Sequence, residues 1–592
     1  MINKNVAEEA EHFLTNEKQF HLGMLPTELS NPKTADIDSV FADNTAAGVS
    51  LLLSVDCDVA KMAQRVLAGP EFVRLVVSGV ETIMKGGRIV FSGCGATGRL
   101  SILLEAMWRH FFIGLKSSTP DLFNKVSKYE NSVLSIMTGG DFALIRSVES
   151  FEDYVEFGKQ QARDLSLTPE DLLIAITEGG ETSSVLGTVE YAAGLGSKVF
   201  LMFNNPSDIL CEHIERSRKA IEDPRVTVLD LYCGPMAIAG STRMQATTSE
   251  QLVAGAALEK IMAGGFEQVC SAEEMAGMGF QEYDCAACFS SLVEELRSKF
   301  NTEQIAEMIE FEAGIYKKNG LVTYYADSFL LDIFTDTTER APTFMLPPFR
   351  KFDDHSAPVS WAFVKTPELP TVEAWHKVLG RSPRCLEWDS EIYRSLNGAE
   401  QWVENPPRLN KNELAKFMIG NEPDDSRIMR TPNVAILVVS GSEASSRDFV
   451  PLREAFTEYT SSYTQSRTLI VGDSQLDAHF KIQGSWRESP LRLMEHMAMK
   501  LVLNTISTGT MVLLGRVTGN WMSWVEVSNK KLQDRGIRLI SQVCNISYRQ
   551  ACYALFETIV ERRNMSLDGQ EKLSPVQITI DRIAHASGKP SA

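Results

Sequence analysis

Two successive series of short, mostly apolar, β-rich runs, each alternating with amphipathic stretches, constrain this chain more than any other feature. The first series lies at residues 88–92, 172–176, 199–203 and 226–229, and the second at 321–325, 359–363, 434–439 and 468–471. Continuous apolar runs suit strands covered on both faces, as in a parallel sheet flanked by helices. The stretch 185–193 between two such runs is closed by Gly194 and Gly196, as helices often are. This βαβ pattern predicts an α/β fold. With 592 residues the chain exceeds one hydrophobic core, so two domains of ordinary size are expected. Residues 250–318 read as helical, with Phe300, Asn301, Thr302 and Glu303 as a break and helix start, and the chain after Leu491 reads as helical nearly to its Pro/Ser-containing tail. The expected architecture is two α/β sandwiches with parallel sheets in tandem, at 51–285 and 286–490, with an N-terminal arm at 1–50 and a C-terminal helical cap at 491–592.

A net charge of -19 without a basic run argues against nucleic acid, which is bound through clustered Lys and Arg. The start, Met1 to Glu9, lacks the basic residues and apolar run of a signal peptide, and no segment has the length to span a bilayer. A cytoplasmic protein with no membrane partner is expected. The ten cysteines are scattered, and the close pair Cys285 and Cys288 has no second pair to complete a zinc set. Buried reduced thiols, no metal and no cofactor are the reading.

Two loops carry ligand chemistry. In 92–100 a strand runs through Gly93, Gly95 and Gly98 into a helix start, where free N–H groups from Ala96 to Arg99 offer an anion site needing no net charge. This is neither the dinucleotide fingerprint nor a P-loop, and a plain tight connection is the alternative. Residues 177–184 repeat the design, with Thr177, Gly179, Thr182 and Ser183 available to cap a helix or hold a ligand. Two such loops at the carboxyl ends of neighbouring parallel strands lie where open α/β sheets bind ligands, which favours a small phosphorylated molecule.

With the segment from Thr27 to Asp38, the Gly95 turn, the run Gly240, Ser241, Thr242, Arg243, Met244 and the stretch from Lys500 to Asn529, the chain resembles the family of N-acetylmuramic acid 6-phosphate etherases and the glucokinase regulatory protein. The resemblance implies SIS (sugar isomerase) domains, and the tandem length implies two etherase-like units fused. It further implies a phosphate contact from Thr97, a ligand hydroxyl from Thr177, an acid/base role for Glu152 and a ligand role for Thr242 and Arg243. The family's other catalytic glutamate falls on Met107 in the first copy, with Glu105 on another helix face, and on Glu339 in the second. The lysine that follows the arginine motif is Gln251 in the first copy and Lys500 in the second. The second copy has Ala326, Asp327, Ser328 and Phe329 in place of the glycine turn. These complementary losses imply one shared pocket in which Glu339 and Lys500 join Thr97, Glu152, Thr177 and Arg243. Two departures stand out: Glu181 replaces an arginine or serine near the phosphate, where a carboxylate is repelled unless turned away or paired, and Gln245 replaces a lysine.

Taken alone, Glu152, Arg243 and Lys500 read as ordinary surface charges; the family match moves them into a site. Two functions follow. An etherase-like lyase needs two carboxyls in different protonation states, which Glu152 and Glu339 supply in either assignment. A non-catalytic regulator would bind the same sugar phosphate and signal to a partner such as a sugar kinase or another protein. A ketose/aldose isomerase would share the fold, but the sequence shows no signature for its base.

Overall fold

The computed structural model describes residues 4–148, 150–563 and 573–586; the first three residues of the N-terminal reading, Glu149 and the tail after Ala586 lie outside them. The first sheet holds β1 (Ile89–Gly93), β2 (Val133–Met137), β3 (Leu172–Ile176), β4 (Lys198–Phe203) and β5 (Val226–Asp230), in the order β2-β1-β3-β4-β5. The second holds β6 (Leu321–Tyr325), β7 (Ala362–Lys365), β8 (Asn433–Ser440), β9 (Gln465–Val471) and β10 (Phe480–Ile482), in the order β10-β9-β8-β6-β7. Every pairing in both sheets is parallel. Read from the other edge, the second order places β7, β6, β8, β9 and β10 where the first has β2, β1, β3, β4 and β5. The two units therefore share one topology.

Alternation along each strand explains the apolar runs. Ile89, Phe91, Leu172, Ile174 and Ile176 enter one core, while Val90, Leu173 and Ala175 enter another on the opposite face. In the second sheet Val434, Ile436 and Val438 join the first of these cores, and Ala435, Leu437 and Val439 a separate one. One core thus runs through both units and leaves each sheet helices on both faces. The helix Leu493–Leu513 sits inside it, packed on Lys299–Tyr316, Leu330–Phe344, Gln245–Phe266, Thr45–Ser54 and Ile37–Asp43.

A further core joins the two ends of the chain, with Val6, Ala10 and Phe13 against Ile537, Ile540, Leu555 and Val576. Polar ties continue the link: Glu28 is paired with both Arg535 and Arg538, the Ser30 hydroxyl donates to Asn520, and the Asn520 amide donates to the Asn31 carbonyl.

The structure corrects several expectations. β2 and β10 are strands that the apolar runs did not reveal: Ser135 interrupts the first, and the second is a three-residue edge strand with Lys481 at its centre. The strand expected at 359–363 begins at Ala362. Residues 300–303, expected as a break and helix start, lie inside the helix Lys299–Tyr316, which is capped by Ser298 accepting the Asn301 N–H. An antiparallel pair, Val517–Thr518 with Trp521–Met522, interrupts the helical end. Cys285 is buried and Cys288 half-buried, so the pair is not uniformly a core feature. Among the described residues no helix is long and apolar enough to cross a membrane.

Candidate functional site

β1 delivers the chain to Gly95, whose φ of +56° and ψ of -123° suit a residue without a side chain. A Cβ built there meets nothing within 4 Å, so the turn faces open space. The helix Ala96–Ser118 then begins without a side-chain cap, which leaves its first N–H groups outward. The Thr97 hydroxyl accepts from the Cys94 N–H at 3.0 Å and donates to the Cys94 carbonyl at 2.9 Å. It is committed to shaping the turn, which leaves backbone N–H groups as the donors at this helix start.

The loop after β3 is held almost group by group. The Thr177 N–H donates to Met202, the Glu178 carbonyl accepts from the Asn204 N–H, and the Gly179 carbonyl accepts from the Asn205 amide. The Thr177 hydroxyl donates to Thr182 at 3.0 Å. Glu181, which would repel a phosphate if bare, is paired with Lys531 and is 3% exposed. Burial pushes its carboxyl up, but Lys531 and Arg216 outweigh that and hold it below its ordinary value. Gly179 makes the fold-back feasible, since a Cβ there would lie 2.4 Å from Glu181 Oε2.

Glu152 follows β2 on the short turn Phe151–Asp153, entered through Ser150 at φ +66°. Its Oε1 accepts from the Asn529 side chain at 3.1 Å, at the cap of the helix Lys530–Cys544. Burial raises the Glu152 carboxyl, Lys531 opposes this, and Asp153 and Glu181 add to it. Lys531 therefore serves two carboxyls from one helix turn.

The second unit contributes Glu339, from the helix Leu330–Phe344. Its carboxylate pairs with Arg99, one turn into the helix that opens at the glycine turn, and Arg99 also donates to the carbonyls of Leu144 and Ala143. Arg243 is 4% exposed and donates to Asp336 at 2.9 Å, Thr508 at 2.8 Å and Ser507 at 3.2 Å. Its Nε is buried without a partner among the described residues. Thr242, half-buried, offers its carbonyl to the Thr247 N–H. Lys500 donates to the Arg243 carbonyl at 2.9 Å and to Asn504 at 2.8 Å. Burial pushes Lys500 down to about 8, and the Arg243 charge adds to the effect against Asp336, Asp56 and Glu250. Gln245 is a structural tie that accepts the Ala237 N–H.

Electrostatic neighbours connect these groups. Glu339 acts on Arg243 and on Glu178, Glu178 acts on Glu250, and Glu250 acts on Lys500. Gly95, Ala96, Thr97, Thr177, Gly179, Glu152 and Glu339 thus gather around the two loops, with Thr242, Arg243 and Lys500 in a buried layer whose polar groups largely bind one another. Sequence reasoning includes Arg99 only as the end of the anion stretch and misses its pairing with Glu339, and it passes over Glu178 and Lys531; Arg99 and Lys531 act through partners hundreds of residues away. Glu105, read as lying on another helix face, is fully buried and paired with Arg109, Arg381 and Arg384, a second tie between the units.

The matching end of the second unit is filled. Glu443, 8% exposed, accepts the Ser328 N–H at 3.1 Å and the Ser440 N–H at 3.4 Å, joining the turn after β6 to the loop after β8. A carboxylate of the chain occupies the position between these loops. Among the described residues no group of His, Cys, Asp and Glu has the arrangement of a metal site.

The family model described as "Glucokinase regulatory protein N-terminal SIS domain" matches residues 71–193. N-acetylmuramic acid 6-phosphate etherase 1 of Bacillus licheniformis is 31% identical over 233 residues, covering 39% of this chain and 67% of that protein. The corresponding etherase of Lactococcus lactis is 29% identical over 232 residues, covering 39% of this chain and 68% of that protein. The solved tagatose-6-phosphate ketose/aldose isomerase of Escherichia coli is similar at a TM-score of 0.40 and 11% identity, over 81% of this chain and 95% of that one.

Proposed function

This chain belongs to the N-acetylmuramic acid 6-phosphate etherase family, and on that premise we propose that it binds a phosphorylated amino sugar between the loops after β1 and β3, in a site completed by Glu339 and Lys500. The observation that carries the reading is the Arg99–Glu339 pair, in which a second-unit carboxylate meets the helix that starts at the glycine turn. Backbone N–H groups at Ala96 and Thr97 would take the phosphate, and Thr177 and Gly179 would shape the neighbouring wall.

The narrower proposal is an etherase-like lyase. A base removes the proton beside the aldehyde of the opened sugar, the electron pair forms a carbon–carbon double bond, and lactate leaves with its ether oxygen; water then adds across the double bond. Glu152, whose carboxyl is raised by burial, suits the acid that protonates the departing oxygen, and Glu339, beside Arg99, suits the base. Incubation with N-acetylmuramic acid 6-phosphate should release lactate. Tight binding with no lactate released would instead support a sugar-phosphate-sensing regulator, which the match at residues 71–193 favours. Absence of binding would defeat both readings.

A further inference from the structure

We propose that Glu178 is a ligand-contacting residue of this site, where its carboxyl meets a hydroxyl or phosphate oxygen of a sugar phosphate. The proposal rests on reading these loops as a sugar-phosphate site. Its geometry comes from the loop after β3. Each of Thr177, Glu178, Gly179, Gly180 and Glu181 has one backbone group bonded to a neighbouring segment: besides the ties already given, the Gly180 carbonyl accepts from Ser217 at 2.8 Å and the Glu181 carbonyl from Arg216 at 2.5 Å. The side chains of Thr177 and Thr182 bond each other, and Glu181 pairs with Lys531 through Oε1 alone, its buried Oε2 having no partner among the described residues. A rigid loop therefore presents one half-buried carboxyl that is bonded only by its own backbone N–H and has no ion-pair partner among the described residues. Immobilised acceptors of this kind are costly unless something binds them.

The charged surroundings decide its protonation. Glu181 and Lys531 face it from the same wall, Glu339 from the second unit, Cys94 from the glycine turn and Glu250 from the helix Gln245–Phe266. Lys531 and Glu339 are already paired, with Glu181 and Arg99, so Glu178 has no counter-charge of its own. Burial pushes its carboxyl up to about 7; its own backbone and Lys531 oppose this, while Glu339 and Glu181 reinforce it. An incoming phosphate, close to dianionic at neutral pH, adds like charge and favours the neutral form further. A neutral carboxyl donates one hydrogen bond and keeps acceptor capacity, which matches a sugar hydroxyl or phosphate oxygen.

The test compares wild type with Glu178→Gln, binding N-acetylglucosamine 6-phosphate in a calorimeter at pH 6 and pH 8. Glutamine is neutral at both. The affinity ratio of variant to wild type should stay near one at pH 6 and rise about tenfold at pH 8, where a carboxyl titrating near 7 is largely ionised. Lys500 and Asp56 titrate in the same window, but they are present in both proteins and cancel in the ratio. Glu178→Ala should bind more weakly than wild type at pH 6 yet show the same rise in ratio, so either variant decides the question. A ratio independent of pH would overturn the role of Glu178 while leaving the site intact. Failure of wild type to bind at either pH would overturn the site reading and this proposal together.

Discussion

Arg99 of the first unit and Glu339 of the second form an ion pair across the two halves of the molecule, with the Arg99 side chain 1% and the Glu339 side chain 13% exposed. The guanidinium sits on the first turn of the glycine-turn helix, so packing between the units and the shape of the candidate site share one interaction. Glu339→Gln removes the counter-charge of a buried arginine, a change that costs about 3–5 kcal/mol where both groups are fully buried. Thermal unfolding should show a clear loss, at the lower end of that range because Arg99 keeps its bonds to Leu144 and Ala143.

Arg243→Ala should destabilise the protein as well as weaken binding. Sequence alone places Arg243 at a ligand, where its loss would spare the fold. In the structure it supports Asp336, Ser507 and Thr508. Asp336 retains Arg340, so a loss of about 2–4 kcal/mol is expected, measurable as a lowered denaturant midpoint.

Lys531→Met leaves Glu181 buried without its ion-pair partner and removes positive charge beside Glu152. Both carboxyls should titrate higher, and sugar-phosphate affinity should fall roughly tenfold or more with loss of a nearby cation. Calorimetry at fixed pH measures this; an unchanged affinity would place the ligand elsewhere.

If the protein is a lyase, Glu152→Gln and Glu339→Gln should each reduce lactate release by about a hundredfold or more, since each deletes a proton-transfer group. Binding of the sugar phosphate should survive in Glu152→Gln, whose Asn529 contact a glutamine amide oxygen retains. Full lyase activity in either variant would remove that residue from the chemistry.

Asp56 gives a pH signature of stability. Burial pushes its carboxyl from 3.8 up to about 7, against the pull of Lys500. The folded form then holds a proton that the unfolded chain releases, so this contribution is intact below the unfolded value and is lost as pH rises through about 7. The melting temperature of wild type should fall more between pH 5 and pH 8 than that of Asp56→Asn, and parallel curves would contradict this.

The fold was legible in the sequence wherever burial on both faces forces a continuous apolar run, as in 172–176 and 434–439. It was illegible where a strand tolerates polar residues, as at Ser135, or lies at an edge, as at Lys481. In the candidate site, the turn at Gly95 could be read because its backbone permits few alternatives, and Glu339 is singled out by the motif around it. Arg99 and Lys531 could not, because each acquires its role from a partner 240 or 350 residues away. Arg243 shows the converse, since a motif singles out a residue without revealing what its side chain touches.

The pairing of Glu28 with Arg535 and Arg538 makes the order of synthesis matter. At translation rates of roughly 5–20 residues per second, about half a minute to two minutes separate the appearance of these partners. The first sheet can assemble early, but Lys531, Asn529 and Lys500 all arrive late. During that interval the nascent chain holds a finished glycine turn facing an unfinished wall, with a buried-type glutamate awaiting its cations. Competence to bind would then come abruptly near the end of synthesis, and truncation late in the chain would disable the site from a distance.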